Sequence, residues 1–145
     1  MRKTVFLGLI IALIIGSCAQ EKKSPIEGAW KLIYGQWHLS DTQNYQFPGN
    51  INISQIKMWS KEYFTFVGQY KLDTLVTDNY GGGTYKFEGD RFDEEVIYHA
   101  SKASVGQKIK ILLEIRNDTL IQRWPADDNW KLLEKYSTEK YIRLK

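Results

Sequence analysis

Beyond residue 25 the chain is a succession of short runs in which apolar and polar side chains alternate, separated by clusters of turn-forming residues. A period of two puts successive side chains on opposite faces of a strand. Residues 28–39 form the first run, with Trp30, Leu32 and Tyr34 on one face and Ala29, Lys31 and Ile33 on the other. Residues 41–50 are polar, are interrupted by Pro48 and Gly49, and read as a connection. Strands are predicted over 55–60 and 62–71; in the second, Phe64, Phe66, Gly68 and Tyr70 share a side opposite Tyr63, Thr65, Val67 and Gln69. Residues 72–80 fit no single pattern. Gly81-Gly82-Gly83 then opens a strand over 84–88, and Gly89-Asp90 is a two-residue hairpin signal. The return strand, 91–99, places Phe92, Glu94, Val96 and Tyr98 together, and 100–107 reads as a loop.

Residues 108–116 set Ile109, Ile111, Leu113 and Ile115 against a charged face, and Asn117-Asp118 turns the chain into a strand over 119–124. Residues 125–129 form another turn, and two short strands, 130–133 and 139–144, complete the pattern. Helical periodicity is unconvincing after residue 25; its best stretch, 131–136, is short. The expectation is therefore an all-β fold, an antiparallel meander of about eight to ten strands. Such a meander must hide its edges. Closure into an up-and-down barrel does so completely, and a two-layer sandwich is the competing solution.

The first residues follow a different pattern. Arg2 and Lys3 precede an unbroken apolar stretch, residues 5–15, which is too short to span a bilayer as a mature helix. Gly16 and Ser17 then lead into Cys18, the only cysteine. A buried helix or a true membrane anchor is the plainer reading of such a stretch. The small residues before a cysteine are more specific, and the segment resembles a bacterial lipoprotein signal. The resemblance implies cleavage after residue 17, lipid attachment at Cys18, and a protein held on the cell envelope, at the outer membrane. Lipid attachment would also remove a free thiol that has no disulfide partner in the chain. Residues 18–25 comprise the cysteine and a polar tether, 19–25, of at most about 23 Å, leaving 26–145 as the folded domain.

Cleavage changes the charge argument. The chain carries 20 Lys+Arg and 17 Asp+Glu; losing Arg2 and Lys3 leaves 18 against 17, a net charge of +1. A nearly neutral surface on the envelope gives no reason to expect nucleic acid. The five Trp, nine Tyr and six Phe favour strands and a ring-filled interior.

Gly28-Ala29-Trp30 at the start of the domain resembles the Gly-x-Trp opening of the lipocalins and the wider calycin group. Gly81-Gly82-Gly83-Thr84-Tyr85, Gly89-Asp90, the alternation Phe92, Glu94, Val96, Tyr98, and Asn117-Asp118-Thr119-Leu120 are similar to lipocalin-like domains of bacterial envelope lipoproteins. That resemblance covers residues 26–145. It implies an up-and-down barrel, closed at one end by Trp30 stacked against a basic residue of the last strand, for which Arg143 is placed.

Strand phase nominates the interior. Trp30, Tyr34, Phe64 and Phe66 would line a ligand site, together with Tyr85, Glu94, Tyr98 and Trp124, with Leu32, Phe92, Val96, Ile111 and Leu113 pointing the same way. A barrel of this size is either filled by its side chains or holds one small ligand. Glu94 is the most pointed candidate, because an interior carboxylate needs a partner. That partner is a ligand amine or hydroxyl, or a cation such as Arg123 or Arg143, with Tyr34 and Gln122 as further hydrogen-bonding groups. No metal or cofactor is expected: His38 and His99 lie far apart and outside any ligand spacing, although His99 falls at a strand end near Asp93 and Glu95. Asp127-Asp128-Asn129 lacks the period of a calcium loop. There is no Gly-x-Ser-x-Gly elbow, and the triple glycine is not followed by Gly-Lys, so it suits a bend or bulge instead. The leading expectation is a lipid-anchored, non-enzymatic carrier of a small apolar molecule. Its rivals are a solid barrel that docks on an envelope protein, and a weak enzyme with Glu94 as general base.

Overall fold

The computed structural model describes residues 23–145; the leader, Cys18 and most of the tether lie outside the described residues. Nine strands form one antiparallel sheet: β1 (Gly28–His38), β2 (Asn44–Phe47), β3 (Asn52–Trp59), β4 (Tyr63–Leu72), β5 (Leu75–Glu88), β6 (Arg91–His99), β7 (Lys108–Arg116), β8 (Thr119–Ala126) and β9 (Leu132–Arg143). From β3 to β9 each strand pairs with the next, and β9 returns to pair with β1. Eight strands thus close a barrel, and the sandwich alternative falls away. The closed antiparallel barrel expected from the alternation is the one observed, and it is consistent with the lipocalin-like form that the resemblance implied.

Closure depends on β1 serving several partners. Its first residues pair with β3, from Gly28 opposite Trp59 to Lys31 opposite Ile56. Its last residues pair with β2, from Gly35 opposite Phe47 to His38 opposite Asn44. Its other edge pairs with β9, from Trp30 opposite Arg143 to Gln36 opposite Thr138. The short β2 lies in the segment expected to be a plain connection. Tyr45 and Phe47 are half-buried there, and Asn50 braces it, accepting from the Gln46 amide at 2.7 Å and donating to the Asn44 carbonyl at 2.9 Å.

Two further elements differ from the sequence pattern. β5 is a single 14-residue strand that absorbs the ambiguous segment and the glycine triplet, because β4 pairs along it from Leu75 to Thr84. β9 is also continuous, replacing the two short strands and the helical alternative over 131–136. Ladders on both edges, to β8 and β1, outweigh a short helical pattern. β8 runs on through Pro125, which has no amide to donate; the register with β9 slips there, between Trp124 and Ala126.

Two bulges reset the faces. Ile33 is an extra residue between Leu32 and Tyr34 against β9, and Ile97 is an extra residue opposite the Gly82–Gly83 step of β5. The expected bend at the triple glycine is there. A Cβ on Gly83 would sit 1.8 Å from the Glu95 carbonyl oxygen, so no larger residue fits.

The end of the barrel where β1 begins is packed solid. Ile26, Trp30, Phe92, Leu120 and Tyr141 are fully buried, and Trp59 meets Trp30 and Tyr141 edge-on at 6.4 and 6.1 Å between ring centroids. The Arg143 guanidinium lies 4.1 Å from the Trp30 ring centroid, as the Gly-x-Trp resemblance implied. It also donates to the Glu27 carbonyl at 2.7 Å and the Pro25 carbonyl at 2.5 Å, while Trp30 Nε1 donates to the Ile26 carbonyl at 2.8 Å. The tether therefore enters at the closed end.

Candidate functional site: a cavity in the open half of the barrel

The opposite half is hollow. A cavity of about 760 Å³ opens where β1 ends and β3 begins. The question of a filled or hollow interior is thus resolved by halves: rings fill one end and leave the other open.

The residues nominated by strand phase divide three ways. Phe66, Glu94 and Trp124 line the cavity. Trp30, Phe64 and Tyr85 are interior but belong to the packed end, where Tyr85 stacks on Phe92 at 4.9 Å. Tyr34 and Tyr98 do not face inward, which corrects their assignment. The bulge at Ile33 turns Tyr34 out beneath the Lys140 ammonium, 4.9 Å from its ring, and hands the inward position to Gly35 and Trp37. The bulge at Ile97 likewise exposes Tyr98, at 73 %, and brings His99 to the cavity wall, 5.6 Å from Phe66. Each extra residue shifts the period of two by one, so every later side chain changes face.

The floor of the cavity is polar. Lys57 on β3 and Glu94 on β6 form an ion pair at 3.0 Å, with both side chains buried. The partner of Glu94 is thus a lysine, not Arg123 or Arg143; Arg123 lies 3.5 Å from Glu114 instead. Lys57 Nζ also stands 5.1 Å from the Trp59 ring centroid and 4.9 Å from that of Phe64, so the closed end's rings support its charge. Beside the pair, Glu139 on β9 accepts hydrogen bonds from Trp37 Nε1 at 2.9 Å, from Gln122 Nε2 and from the Tyr141 hydroxyl. Gln55 Nε2 donates to the Tyr141 oxygen at 3.1 Å, and Asn79 Nδ2 donates to Gln55 Oε1 at 2.9 Å. Of the two hydrogen-bonding groups expected beside Glu94, Gln122 donates to Glu139 instead, and Tyr34 donates to Gln36 at 3.2 Å.

Burial pushes the Glu139 carboxyl above the usual carboxylate range, against the pull of Lys57 and of its donors. Burial, then the Glu139 charge, raises the Tyr141 hydroxyl well above its usual value. His99 is lowered, chiefly by burial, and its Nδ1 accepts from the Ser101 amide at 2.9 Å.

Sequence reasoning missed Trp37, Gln55, Lys57 and Glu139. Along β3 the expected polarity is inverted: Gln55 and Lys57 are buried while Ile56 and Met58 face out, each 37 % exposed. The available signal was Trp59, which shares the phase of Lys57 and anchors it to the core. Glu139 has the same relation to Tyr141.

A second concavity of similar volume lies across β5, β6 and β7 at the closed end, edged by Lys61, Glu62, Lys86, Asp93 and Lys108. Its rim is charged, and Tyr85 and Glu94 line it as well, so Glu94 borders both concavities. No group of His, Cys, Asp or Glu among the described residues is arranged to hold a metal ion. Asp127 instead braces its own turn, accepting from the amides of Asn129 at 2.9 Å and Lys131 at 2.8 Å. Compared with protein-family models and with curated proteins, the chain matches none.

Proposed function

We propose that this protein is a lipid-anchored envelope binding protein of lipocalin-like type, which holds one small, largely apolar molecule non-covalently in the open half of its barrel. The observation that carries this reading is the cavity of about 760 Å³. Its size lies within the roughly 300–1,000 Å³ of small-molecule sites, and its make-up, apolar walls with a few placed polar groups, is that of such sites. Phe66, Ile53, Tyr70 and Trp124 supply the walls. A non-catalytic role fits the floor, where Glu94 is engaged by Lys57 at 3.0 Å and a general base would first have to break that pair.

The anchor is Cys18, by the leader's resemblance to a lipoprotein signal. The tether joins the barrel at its closed end, so the mouth lies at the end away from the lipid. Native mass spectrometry and tryptophan fluorescence with a panel of lipids and metabolites test the reading. A saturable one-to-one complex that perturbs Trp37 or Trp124 is expected, and the absence of any saturable ligand overturns it.

One observation favours a second reading, docking on another envelope protein. Val67 and Tyr80 pair across β4 and β5 on the outer face and are 49 % and 51 % exposed, with Tyr98 beyond Gly82 on the same face. Outward apolar groups of this kind mark interaction surfaces when they are contiguous. A partner captured by the natural chain and released by Val67→Ser with Tyr98→Ser supports this reading; capture that survives both substitutions removes it.

A further inference from the structure

The polar groups of the mouth and the floor differ in kind. Leu39, Ile51, Leu72 and Leu75, at or beside strand ends, stand at the mouth with Asp78 and the neutral Ser101, Ser104 and Gln107, whereas the buried Lys57, Glu94, Gln122 and Glu139 form the floor. A molecule with an apolar tail and a polar head therefore finds its buried polar partners with the head innermost. The floor also lacks something. Gln122 is 2 % exposed, and its Oε1 has no hydrogen-bond partner. Its orientation is fixed, because Nε2 is engaged by Glu139 directly across the β8–β9 ladder. A buried acceptor left without a donor forfeits the hydrogen bond it would make in water, so the floor is incomplete as it stands. Charge is incomplete too: two buried carboxylates, Glu94 and Glu139, face one buried ammonium, Lys57, which is bonded to Glu94.

We infer, resting on the binding reading above, that the ligand is an amphiphilic amine that enters head first. Its ammonium donates to Gln122 Oε1 and offsets the charge of Glu139, and its hydrocarbon body extends past Phe66 toward the leucine rim. A hydroxyl head satisfies the orphan acceptor and leaves the charge uncompensated. A carboxylate head satisfies neither and adds a third negative charge at low dielectric. The upward displacement of the Glu139 carboxyl by burial agrees with a site short of one cation.

The test uses the full chain in lipid nanodiscs, with empty nanodiscs as blank, and titrates hexylamine, hexanol and hexanoate at neutral pH by calorimetry. Hexylamine is expected to bind saturably and at least about tenfold more tightly than either of the others. In Glu139→Gln, which keeps the side chain's shape and removes its charge, the ratio of hexylamine to hexanol affinity should shrink to about twofold. Hexanol or hexanoate binding as tightly as hexylamine overturns the head-group assignment and leaves the cavity reading in place. Failure of all three to saturate removes both.

Discussion

Individual side chains carry the interior's chemistry at opposing stakes. Lys57 and Glu94 side chains are 5 % and 7 % exposed and 3.0 Å apart, so removing one partner strands a buried charge. Lys57→Met is expected to destabilise the protein by about 3–5 kcal/mol in urea unfolding, and Lys57→Met with Glu94→Leu should recover most of that loss. A double variant no more stable than the single would show that the ion pair is not the source. Glu139 gives a pH signature. Its native value is raised above the ordinary 4.5, so the folded state prefers the protonated carboxyl. The stability this contributes is full below the unfolded value and is lost as pH rises through the raised native value. Glu139→Gln has no such proton to lose. The gap in unfolding free energy between the natural chain and this variant should therefore move against the natural chain as pH rises from acid toward neutral.

Strands in this barrel are positioned by their irregularities. Gly83 allows the bulge at Ile97, and its substitution by alanine would push a methyl to 1.8 Å from the Glu95 carbonyl oxygen. Gly89 has a positive φ of 65° in the β5–β6 turn and open space around it. Gly83→Ala should lower stability by more than about 2 kcal/mol, and Gly89→Ala by about 1 kcal/mol, in thermal or urea melts. Equal effects would mean that the bulge is not sterically specified. The same irregularities explain what was legible at this scale. Strands 91–99 and 108–116 are uninterrupted in sequence and match β6 and β7 residue for residue. β2 was hidden because Asn44–Phe47 has no apolar run of its own and is a strand only by pairing with the end of β1. Tyr34 and Tyr98 were misplaced for one shared reason: a bulge is set by the neighbouring strand's ladder, and nothing in the period of two announces it.

Over the whole molecule, the closed and open halves divide the work. Arg143 joins the last strand to Trp30 and to the carbonyls of Pro25 and Glu27, all at the end remote from the mouth. Arg143→Ala is expected to reduce stability by about 2–3 kcal/mol, through lost cation–π and charged hydrogen bonds, while leaving ligand affinity within about twofold. Trp37→Phe should do the reverse, removing the Nε1 donor to Glu139 and weakening binding with a smaller stability loss. Unfolding curves and binding isotherms on both variants separate the two roles; parallel losses in each would show that the halves are not independent.

The sequence alone determined the strand alternation, the ring-rich interior and the two hairpin turns after Glu88 and Arg116, whereas the Trp30–Arg143 seal was implied only by the Gly-x-Trp resemblance. The first three depend on local period, turn chemistry and residue type, which a linear reading contains. Only the tertiary structure decided that the rings collect at one end, that the other end is hollow, and that Lys57, Glu94, Gln122 and Glu139 meet on one floor. Those residues come from four strands, β3, β6, β8 and β9, of which only the last two are neighbours in the chain. Their meeting depends on register and closure, which are set by backbone pairing between strands.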